Sequence, residues 1–518
     1  MLNPAPDQAA QPALSGSDPT KPRSQSPLDQ AVLNRRAKLG VFLLAARTAL
    51  QQLVTLVGNV YLARVLGPSD FGAFWIIQFA LSFFTLFGDA GFGAALIQKK
   101  DTATDEELSS VFWSQVALAL LVVLAVFLSA PYVIKFWPDL PRGADWMLRA
   151  LSISLLFTTV RVIPAILMER ELLFGRLSLI DLLLTLTFYG SAMILAHLGY
   201  GPFALVTAVL AQGVVGLLAA YSLRPWFPRF HWNWSILRPI FKFGIAFQTK
   251  NIIGFVNAAV IPLYAGRALG RYALGIVTWS QNTAFFPMQL VAIMSRVNFP
   301  LLSRLQHDGR AFSRSLERTI QMCALVTLAF VALFLGIGPS LVKVIYGNRW
   351  IPAVPTLYVF ATAISIGFVS PIVNGALDAL GKPRIMMWLG LIWTAMNWLV
   401  IAITMQFRTD AFTFSIAYCV HIVVANLVVV LMVRRLLPTA NVWSKIRTAV
   451  LAATLATAVG RWLILRWITG PFTLIAAALL ILTIFSGAVA LFDRSAFLEI
   501  VAQLRKRRHT AALSEENS

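Results

Sequence analysis

The sequence predicts an all-α polytopic membrane protein, because its composition, its long apolar segments and the placement of its charges agree. Of its 518 residues, 58% are hydrophobic and only 13% are charged, whereas a typical soluble domain carries about 25% charged residues. A soluble fold cannot bury that much apolar surface. The composition therefore excludes a cytosolic enzyme, a disulfide-stabilised secreted domain and a disordered protein.

Apolar segments follow one another from about residue 39 to residue 492, and we predict about fourteen membrane-spanning helices. Each has roughly the 20 residues that a helix needs to cross a bilayer, and short breaks such as Gly201-Pro202 and Gly470-Pro471 separate them. The predicted spans are 39–63, 71–97, 109–134, 145–168, 178–198, 202–222, 241–266, 271–297, 318–342, 353–380, 386–406, 411–433, 447–468 and 471–492.

The positive charges indicate which side of the membrane each break faces. Most of the 43 lysines and arginines lie in tails and breaks on the side of the N-terminus, and an even number of spans returns the C-terminus to that side. Because cytoplasmic loops carry the excess of positive charge, both termini are expected in the cytoplasm. This topology accounts for the net charge of +21 without a nucleic-acid partner.

A short motif occurs twice, at an offset of 203 residues. Six spans separate the copies, so both copies have the same orientation. We therefore expect two parallel six-helix lobes around a central cavity, related by an axis along the membrane normal, as in many transporters. Arg64 and Arg267 fall in the outer turns of the motif, and we expect them to matter less for transport than basic residues inside the spans. The first copy, Tyr61, Arg64, Leu66, Gly67, Gly72 and Gln78, matches Tyr264, Arg267, Leu269, Gly270, Gly275 and Gln281.

The repeat also divides the chain into parts. The N-terminal tail is rich in Pro, Ser, Gln and Ala and lacks apolar periodicity, which is typical of disorder, and it shows no signal-peptide pattern. The predicted parts are a disordered cytoplasmic tail (1–34), an N-terminal lobe (35–222), a cytoplasmic interfacial linker (223–240), a C-terminal lobe (241–433), an extra helix pair outside the repeat (434–492) and a basic cytoplasmic tail (493–518).

Three basic residues lie inside predicted spans, where a charge is costly and tends to face a cavity or a partner. Arg47, Arg161 and Lys250 each lie about eight residues, or ~12 Å, from a cytoplasmic helix end. Arg47 and Lys250 are related by the repeat offset. We predict that the three bind an anionic group. An ion pair of Asp89 with Arg47 or Arg161 is the alternative.

Polar side chains recur at helical spacing along the first two helices of each lobe. Asn and Gln both donate and accept hydrogen bonds, which suits sugar hydroxyls. The same stripes can also bond helices to one another, and of the two interpretations we favour a hydrated cavity between the lobes. The residues predicted to line it are Gln51, Thr55, Asn59, Gln78, Asp89, Asn251, Asn257, Gln281 and Asn282.

The sequence shows no pattern typical of catalysis or metal binding. It contains no nucleophile–base pair and no phosphate-binding glycine loop, and Cys323 and Cys419 lie far apart in apolar segments without metal-ligand spacing. We therefore predict that the protein is not an enzyme and has neither a metal site nor a cofactor.

Three stretches resemble Wzx-type polysaccharide flippases of the multidrug/oligosaccharidyl-lipid/polysaccharide exporter superfamily. LARVLGPSDFG (62–72) resembles the first extramembrane turn of that family, GDAGFGAALI (88–97) the end of its second span, and FPLLSRLQ (299–306) the loop after its eighth span. The resemblance covers about residues 38–440, and the first motif is the most specific.

This resemblance implies an activity. Such proteins move polyprenyl-diphosphate-linked oligosaccharides from the cytoplasmic to the outer leaflet of the bacterial inner membrane by alternating access, for cell-surface polysaccharide synthesis. Arg47 and Lys250 would hold the diphosphate, and polysaccharide polymerase and export machinery would be partners. Some relatives, lipid II flippases among them, have an added helix pair that forms a lipid groove.

Two other functions stay open at this point. A cation-coupled multidrug exporter of the same superfamily would be expected to carry an acid in its cavity, whereas the best-placed charges here are basic. A membrane polysaccharide polymerase or ligase would need a larger outer loop. The sequence does not indicate whether the glycan serves capsule, exopolysaccharide, lipopolysaccharide O-antigen or peptidoglycan, nor the coupling ion or the oligomeric state.

Overall fold

The computed structural model describes residues 47–48, 50–88, 96, 104–381, 383–407, 410–436 and 441–492. The two predicted tails, 1–34 and 493–518, lie outside these residues. The chain up to Gln52 is one unit, whose described residues are helical, and Leu53 onward is a second unit. The packing described below is that of the second unit.

Every regular element of the described residues is helical. Short 3₁₀ or π turns adjoin some of the helices, at Ile261–Leu269, Asn348–Ala353, Gly460–Ile464 and Leu465–Trp467. The helices are α1 (50–65), α2 (Pro68–Gly88), α3 (Asp105–Ile134), α4 (Ala144–Arg170), α5 (Phe174–His197), α6 (Phe203–Leu223), α7 (Trp234–Val260), α8 (Gly270–Ala284), α9 (Phe286–Arg304), α10 (Gly309–Ile345), α11 (Val354–Gly367), α12 (Val369–Ala379), α13 (Pro383–Thr404), α14 (Ala411–Leu436), α15 (Val442–Val459) and α16 (Pro471–Phe492).

Eleven helical segments of the described ranges are long and apolar enough to cross a membrane. The prediction of an all-helical, multi-pass membrane protein is therefore confirmed. One of the eleven, Asn251–Ala284, combines parts of two predicted spans. The number of fourteen spans accordingly stays a prediction.

In the predicted topology consecutive spans run in opposite directions, so the breaks between them fall on two sides. We call the predicted outer side the far side and the predicted cytoplasmic side the near side. We also call α1–α6 the first half and α7–α14 the second half. Far-side breaks are 66–67, 135–143, 198–202, 346–347, 405–407 and 468–470, and near-side breaks are 171–173, 224–233 and 305–308.

Polar residues in the near-side breaks determine where the next helix begins. At α3, Thr104 Oγ1 accepts a hydrogen bond from the backbone N of Glu107 at 3.3 Å, and Glu107 Oε2 accepts one from the backbone N of Thr104 at 3.1 Å. At α10, Asp308 Oδ1 accepts from the backbone N of Arg310 at 3.1 Å. These caps satisfy backbone donors that the first turn leaves unpaired.

On the far side, one hydrophobic core crosses both halves. Leu66, Ile77 and Leu148 of the first half belong to the same buried cluster as Leu274 and Phe360 of the second half. We call this cluster the far-side core. Since a packed core of this kind excludes water and hydrocarbon alike, it closes the far side between the halves.

On the near side, the described residues form separate cores. Val111 and Ile163 of the first half pack in one cluster, and Leu316, Ile372 and Val429 of the second half pack in another. Among the described residues, the halves thus share one core at their far-side ends, and towards the near side their cores are separate except that Leu237, at the start of α7, packs with the first half.

The extra pair, α15 and α16, packs against α10. Gly460, directly after α15, lies against Gly336 of α10, and a Cβ added to Gly460 would be 3.0 Å from the Gly336 Cα. Small residues at such a crossing let two membrane helices approach closely. The pair thus shares its core with the second half.

The predicted linker is only partly irregular. Residues 224–233 are not helical, whereas α7 already begins at Trp234, before residue 241, where we expected the C-terminal lobe to start. Trp226 and Leu237 are buried in the near-side core of the first half. Phe230 is 85% exposed, as expected for an interfacial segment.

Candidate functional site

The two halves are joined through two glycines of the repeated motif. A Cβ on Gly72 of α2 would lie 1.8 Å from the carbonyl oxygen of Arg271, and a Cβ on Gly275 of α8 would lie 1.9 Å from the carbonyl oxygen of Pro68. Pro68 and Arg271 are also related by the offset of 203 residues. The contact between α2 and α8 is therefore reciprocal.

The two repeated arginines cross between the halves. Arg64 donates through Nε to the Ile345 carbonyl at 2.7 Å and through Nη2 to the Val344 carbonyl, at the far-side end of α10. Arg267 donates to the Phe136 carbonyl, just beyond the far-side end of α3, at 2.5 Å. Each arginine thus bonds the far-side end of a helix of the opposite half, α10 for Arg64 and α3 for Arg267. We expected both to matter less than the cations inside the spans, and this placement gives each of them a structural role between the halves.

Two tryptophans add a further reciprocal pair of bonds. Trp137, after α3, donates through Nε1 to the Pro262 carbonyl at 3.1 Å, and Trp350, after α10, donates to the Ala63 carbonyl at 2.7 Å. Each tryptophan reaches the first helix of the opposite half. We call the glycines, arginines and tryptophans of these three contacts the far-side gate.

An aromatic layer lies directly below the gate, towards the near side. The rings of Phe79 on α2 and Phe255 on α7 are stacked, with centroids 5.2 Å apart and planes at 6°. Phe83, one turn further along α2, is 6.2 Å from Phe255. Phe79 and Phe83 of the first half thus contact Phe255 of the second half through their aromatic rings.

The reciprocal contacts explain why the motif is repeated. When two equivalent surfaces meet about a two-fold axis, each residue must suit its own equivalent in the other copy. The repeat is visible in the sequence, but its role as the contact between the halves was not predicted. The signal was available in Gly72 and Gly275, which lie at equivalent positions within the first two turns of α2 and α8.

The structure describes the three predicted cations to different extents. Arg47 is half-buried and helical, in the unit that ends at Gln52. Lys250 lies on α7, but its side chain is outside the described residues, as is all of Asp89. Their predicted role in anion binding therefore stays a prediction.

Arg161 lies within the first half. Its Nη1 would be 2.8 Å from a Cβ on Gly216 of α6, and it interacts electrostatically with Asp181 of α5. The alternative left open by the sequence paired Asp89 with Arg47 or Arg161, and Asp89 lies outside the described residues. Asp181 thus provides a counter-charge to Arg161 inside the half.

Two predicted cavity residues of the first half bond another helix. The hydroxyl of Tyr189 on α5 forms hydrogen bonds with the side chains of Thr55 and Asn59 on α1. Gly58 allows this approach, because a Cβ there would lie 2.1 Å from Tyr189 Cδ1. These hydrogen bonds agree with the second interpretation of the polar stripes, in which the polar side chains bond one helix to another.

The second half has corresponding bonds. Asn397 Nδ2 on α13 donates to Asn257 Oδ1 on α7 at 3.0 Å, and Gln281 on α8 bonds the Tyr418 hydroxyl on α14. Among the other predicted lining residues, Asn251 and Asn282 are exposed and Gln51 and Gln78 are half-exposed. The lining of a cavity by this set stays a prediction.

An ion pair ties two helix ends on the near side of the first half. Arg224, after α6, donates to Glu171, after α4, with Nη2–Oε1 at 2.8 Å and Nε–Oε2 at 3.2 Å. The hydrogen bond from Arg224 holds the pKa of the Glu171 carboxyl below its ordinary value and raises the pKa of Arg224. Both groups lie outside the spans.

Relatives of known name align with parts of this chain. The teichuronic acid biosynthesis protein TuaB of Bacillus subtilis is 25% identical over 277 residues, which cover 53% of this chain and 56% of TuaB. The succinoglycan biosynthesis transport protein ExoT of Rhizobium meliloti is 24% identical over 335 residues, 64% of this chain and 67% of ExoT. The lipopolysaccharide biosynthesis protein WzxC of Escherichia coli is 25% identical over 313 residues, 58% of this chain and 61% of WzxC. The alignments thus span less than two thirds of TuaB and of WzxC.

Solved structures share the fold. The lipid II flippase MurJ, in an inward closed conformation, superposes with a TM-score of 0.68 over 88% of this chain and 99% of MurJ, at 14% identity. An inward-facing multidrug resistance MATE transporter of the MOP superfamily superposes with a TM-score of 0.58 over 75% of this chain and 95% of its own, at 14% identity. This fold is that of a polytopic membrane transporter.

The family model described as polysaccharide biosynthesis protein matches residues 61–355. The matched stretch is more than half of the chain, contains both copies of the motif and ends just beyond Trp350 of the far-side gate. With the fold and the gate described above, this match shows that the chain belongs to the polysaccharide biosynthesis protein family.

Proposed function

We propose that the protein is a flippase. It moves a polyprenyl-diphosphate-linked oligosaccharide from the cytoplasmic to the outer leaflet of the bacterial inner membrane, for cell-surface polysaccharide synthesis, and it is not an enzyme. The observation that carries this proposal is the far-side core shared by both halves, set against their separate near-side cores. A molecule built this way can take up substrate from one side while the other is closed, and it can alternate by rocking its halves.

The substrate class follows from the charges proposed for the cavity. Arg47 and Lys250 are repeat-equivalent basic residues in the first predicted span of each lobe. At an effective dielectric constant of about 20, one pair of opposite unit charges at 4 Å is worth ~4 kcal/mol before desolvation. Two cations on one diphosphate would therefore dominate capture of the headgroup. Arg161 is a weaker third candidate, because Asp181 already balances part of its charge.

Sugar hydroxyls would be bound by the polar residues of the first two helices of each half. Amide side chains suit this task, since each both donates and accepts. We propose Gln51, Gln78, Asn251 and Asn282 for this role, because these side chains are exposed or half-exposed. Asn59, Asn257 and Gln281 would then keep the helices that line the cavity in place.

The setting follows from the proposed topology. With both termini in the cytoplasm, the near side takes up the lipid-linked substrate where it is made and the far side releases it. Polysaccharide polymerase and export machinery would use the product there. A multidrug exporter with the same fold is the main alternative, and the basic pair favours an anionic substrate over an organic cation.

A deletion strain tests the proposal. Loss of the gene should make a lipid-linked sugar accumulate in the cytoplasmic leaflet, where an impermeant periodate or lectin probe does not reach it. Restoring the gene should return that lipid to the outer leaflet. If no lipid-linked sugar changes amount or leaflet, and sensitivity to organic cations rises instead, the exporter alternative replaces the flippase.

A further inference from the structure

An apolar groove runs between α11 and α14 of the second half. It has a volume of about 680 Å³. One face of each helix forms its walls, from Pro355 through Thr362 to Ile366 on α11 and from Phe412 through Val420 to Val424 on α14. Because its walls are almost wholly hydrocarbon, the groove suits a hydrocarbon chain rather than a polar ligand.

The groove has the length of one leaflet. At 1.5 Å per residue, the stretch from Phe412 to Val424 is ~18 Å long, close to half of the ~30 Å hydrocarbon thickness of a bilayer. Pro355 and Phe412 lie in the first turn of their helices, next to the far-side breaks. The groove therefore extends from the far-side membrane surface to about mid-depth.

A cation lies at the far-side end of this groove. Arg461, just after α15, donates through Nη1 to the Tyr358 hydroxyl at 2.7 Å, and its guanidinium carbon is 5.6 Å from the centre of the Tyr358 ring. Tyr358 is itself part of the groove wall. Its ring packs against Gly338, where a Cβ would lie 2.9 Å from Cε1, so Tyr358 holds Arg461 in a fixed place.

Arg461 is exposed although it belongs to a membrane helix region. An exposed guanidinium at that depth is costly unless it reaches the membrane surface or an anion. Guanidinium presents five N–H donors in a planar fork, which matches a phosphate group. The apolar groove and the cation at its surface end thus match the two ends of one lipid.

We infer that the groove binds one anionic phospholipid of the far-side leaflet, with an acyl chain between α11 and α14 and its phosphate on Arg461. An anionic headgroup is favoured because a zwitterionic one brings its own ammonium group, which repels the guanidinium. The bound lipid would join the extra helix pair to the second half. The site does not depend on the proposed transport activity, and its test does not measure transport.

Lipid binding to the purified full-length protein in detergent tests the inference. Native mass spectrometry would follow the titration of dioleoylphosphatidylglycerol, with dioleoylphosphatidylethanolamine in a parallel titration. The wild type should hold one phosphatidylglycerol and bind phosphatidylethanolamine at least about tenfold more weakly. Arg461→Gln should weaken phosphatidylglycerol binding about tenfold, the order expected for one charge-assisted hydrogen bond.

Matched variants separate the groove from general effects. Thr362→Trp fills the groove at an exposed position and should also remove the bound lipid, whereas Arg461→Lys should keep part of the affinity. Arg466→Gln and Leu451→Trp, at exposed positions away from the groove lining, should bind like the wild type. Equal binding of both phospholipids, or wild-type affinity of Arg461→Gln, would overturn the inference. Preferential binding of an added polyprenyl phosphate would also overturn it, because the occupant would then be the carrier lipid.

Discussion

Gly72 and Gly275 are each seated against the backbone of the other's helix. Gly72 lies on the Arg271 carbonyl and Gly275 on the Pro68 carbonyl, and a Cβ at either glycine would fall within 2 Å of that oxygen, where ordinary contact begins at 3.4 Å. The neighbouring atoms are backbone and cannot rotate away. Any side chain at these positions must therefore push α2 and α8 apart.

Gly72→Ala should open the far side. Overpacking of this kind typically costs ~1–3 kcal/mol, which is roughly a fivefold to hundredfold change in the balance between closed and open states. The measurement is the labelling rate of Ile76→Cys, a position 1% exposed in the far-side core, by an impermeant maleimide from the far side, with Cys323 and Cys419 replaced by alanine.

The matched control for this substitution is Gly190→Ala on α5, where no described atom lies within 4 Å of the added Cβ. It should leave the labelling rate unchanged. If Gly72→Ala and Gly190→Ala label at the same rate, the glycine contact does not hold the far side closed.

Arg64→Ala and Arg267→Ala should each loosen the gate by a smaller amount. Each loses hydrogen bonds from a charged donor to helix-end carbonyls at a partly exposed site, so we expect about 1 kcal/mol, or roughly fivefold faster labelling of Ile76→Cys. Their effects should add in the double variant, since the two arginines touch different helices. Arg142→Ala, at an exposed position of a far-side break, is the control. A double variant that labels like Arg142→Ala would contradict the role of the arginines.

Arg47→Ala and Lys250→Ala should each abolish glycan export while the amount of protein in the membrane is unchanged, because each removes half of the charge proposed for the diphosphate. Arg47→Lys should be milder, since a flexible diphosphate needs charge more than the guanidinium fork. Export is measured as surface polysaccharide per cell, with Arg142→Ala as control. Arg64 is unsuitable as a control, because it bonds α10. Normal export by the Arg47→Ala, Lys250→Ala double variant would refute the proposed headgroup site.

The Glu171–Arg224 pair should stabilise the first half only above the acid range. Arg224 lowers the pKa of Glu171 from its ordinary value of 4.5, so the folded protein favours the carboxylate more than the unfolded chain does. The contribution is then complete above pH 4.5 and is lost as pH falls through the lowered pKa. At pH 7, Glu171→Gln should lower the free energy of unfolding by at most the ~1 kcal/mol of an exposed pair, and its melting temperature should therefore lie slightly below that of the wild type. The difference should vanish well below pH 4. A difference that grows on acidification would contradict this account.

The helix order, the repeat and the membrane class could be predicted because they rest on local patterns of apolar and polar residues. The partners of single polar residues could not. Tyr189 looks from the sequence like one more aromatic in an apolar span, and nothing local indicates that its hydroxyl meets Thr55 and Asn59. Such contacts depend on how α5 is rotated about its axis, and packing against several neighbours at once determines that rotation.

Arg161 illustrates the same limit for charges. Counting residues from uncertain helix ends gave Asp89 as a possible partner at equal depth, and among the described residues Asp181 of α5 is the acid that acts on Arg161. Depth alone allows any helix of the half to supply the counter-charge. The gate, by contrast, was within reach of the sequence, because Gly72 and Gly275 are identical in two copies whose remaining residues differ widely.

The two ends of α7 are attached to different parts of the protein, and this determines where the helix would bend if the halves rock as proposed. Leu237 near the start of this helix is buried with the first half, whereas Val260 at its end is buried in the far-side core. Because α7 is buried at both ends, a relative movement of the two halves must bend it between these two residues. Gly254 lies in that interval with no described atom within 4 Å of its Cβ position, and glycine offers a helix little resistance to bending. Under alternating access, the stiffness of α7 would determine how much elastic energy is stored when the far side opens. That energy would in turn favour the return to the state in which the far side is closed.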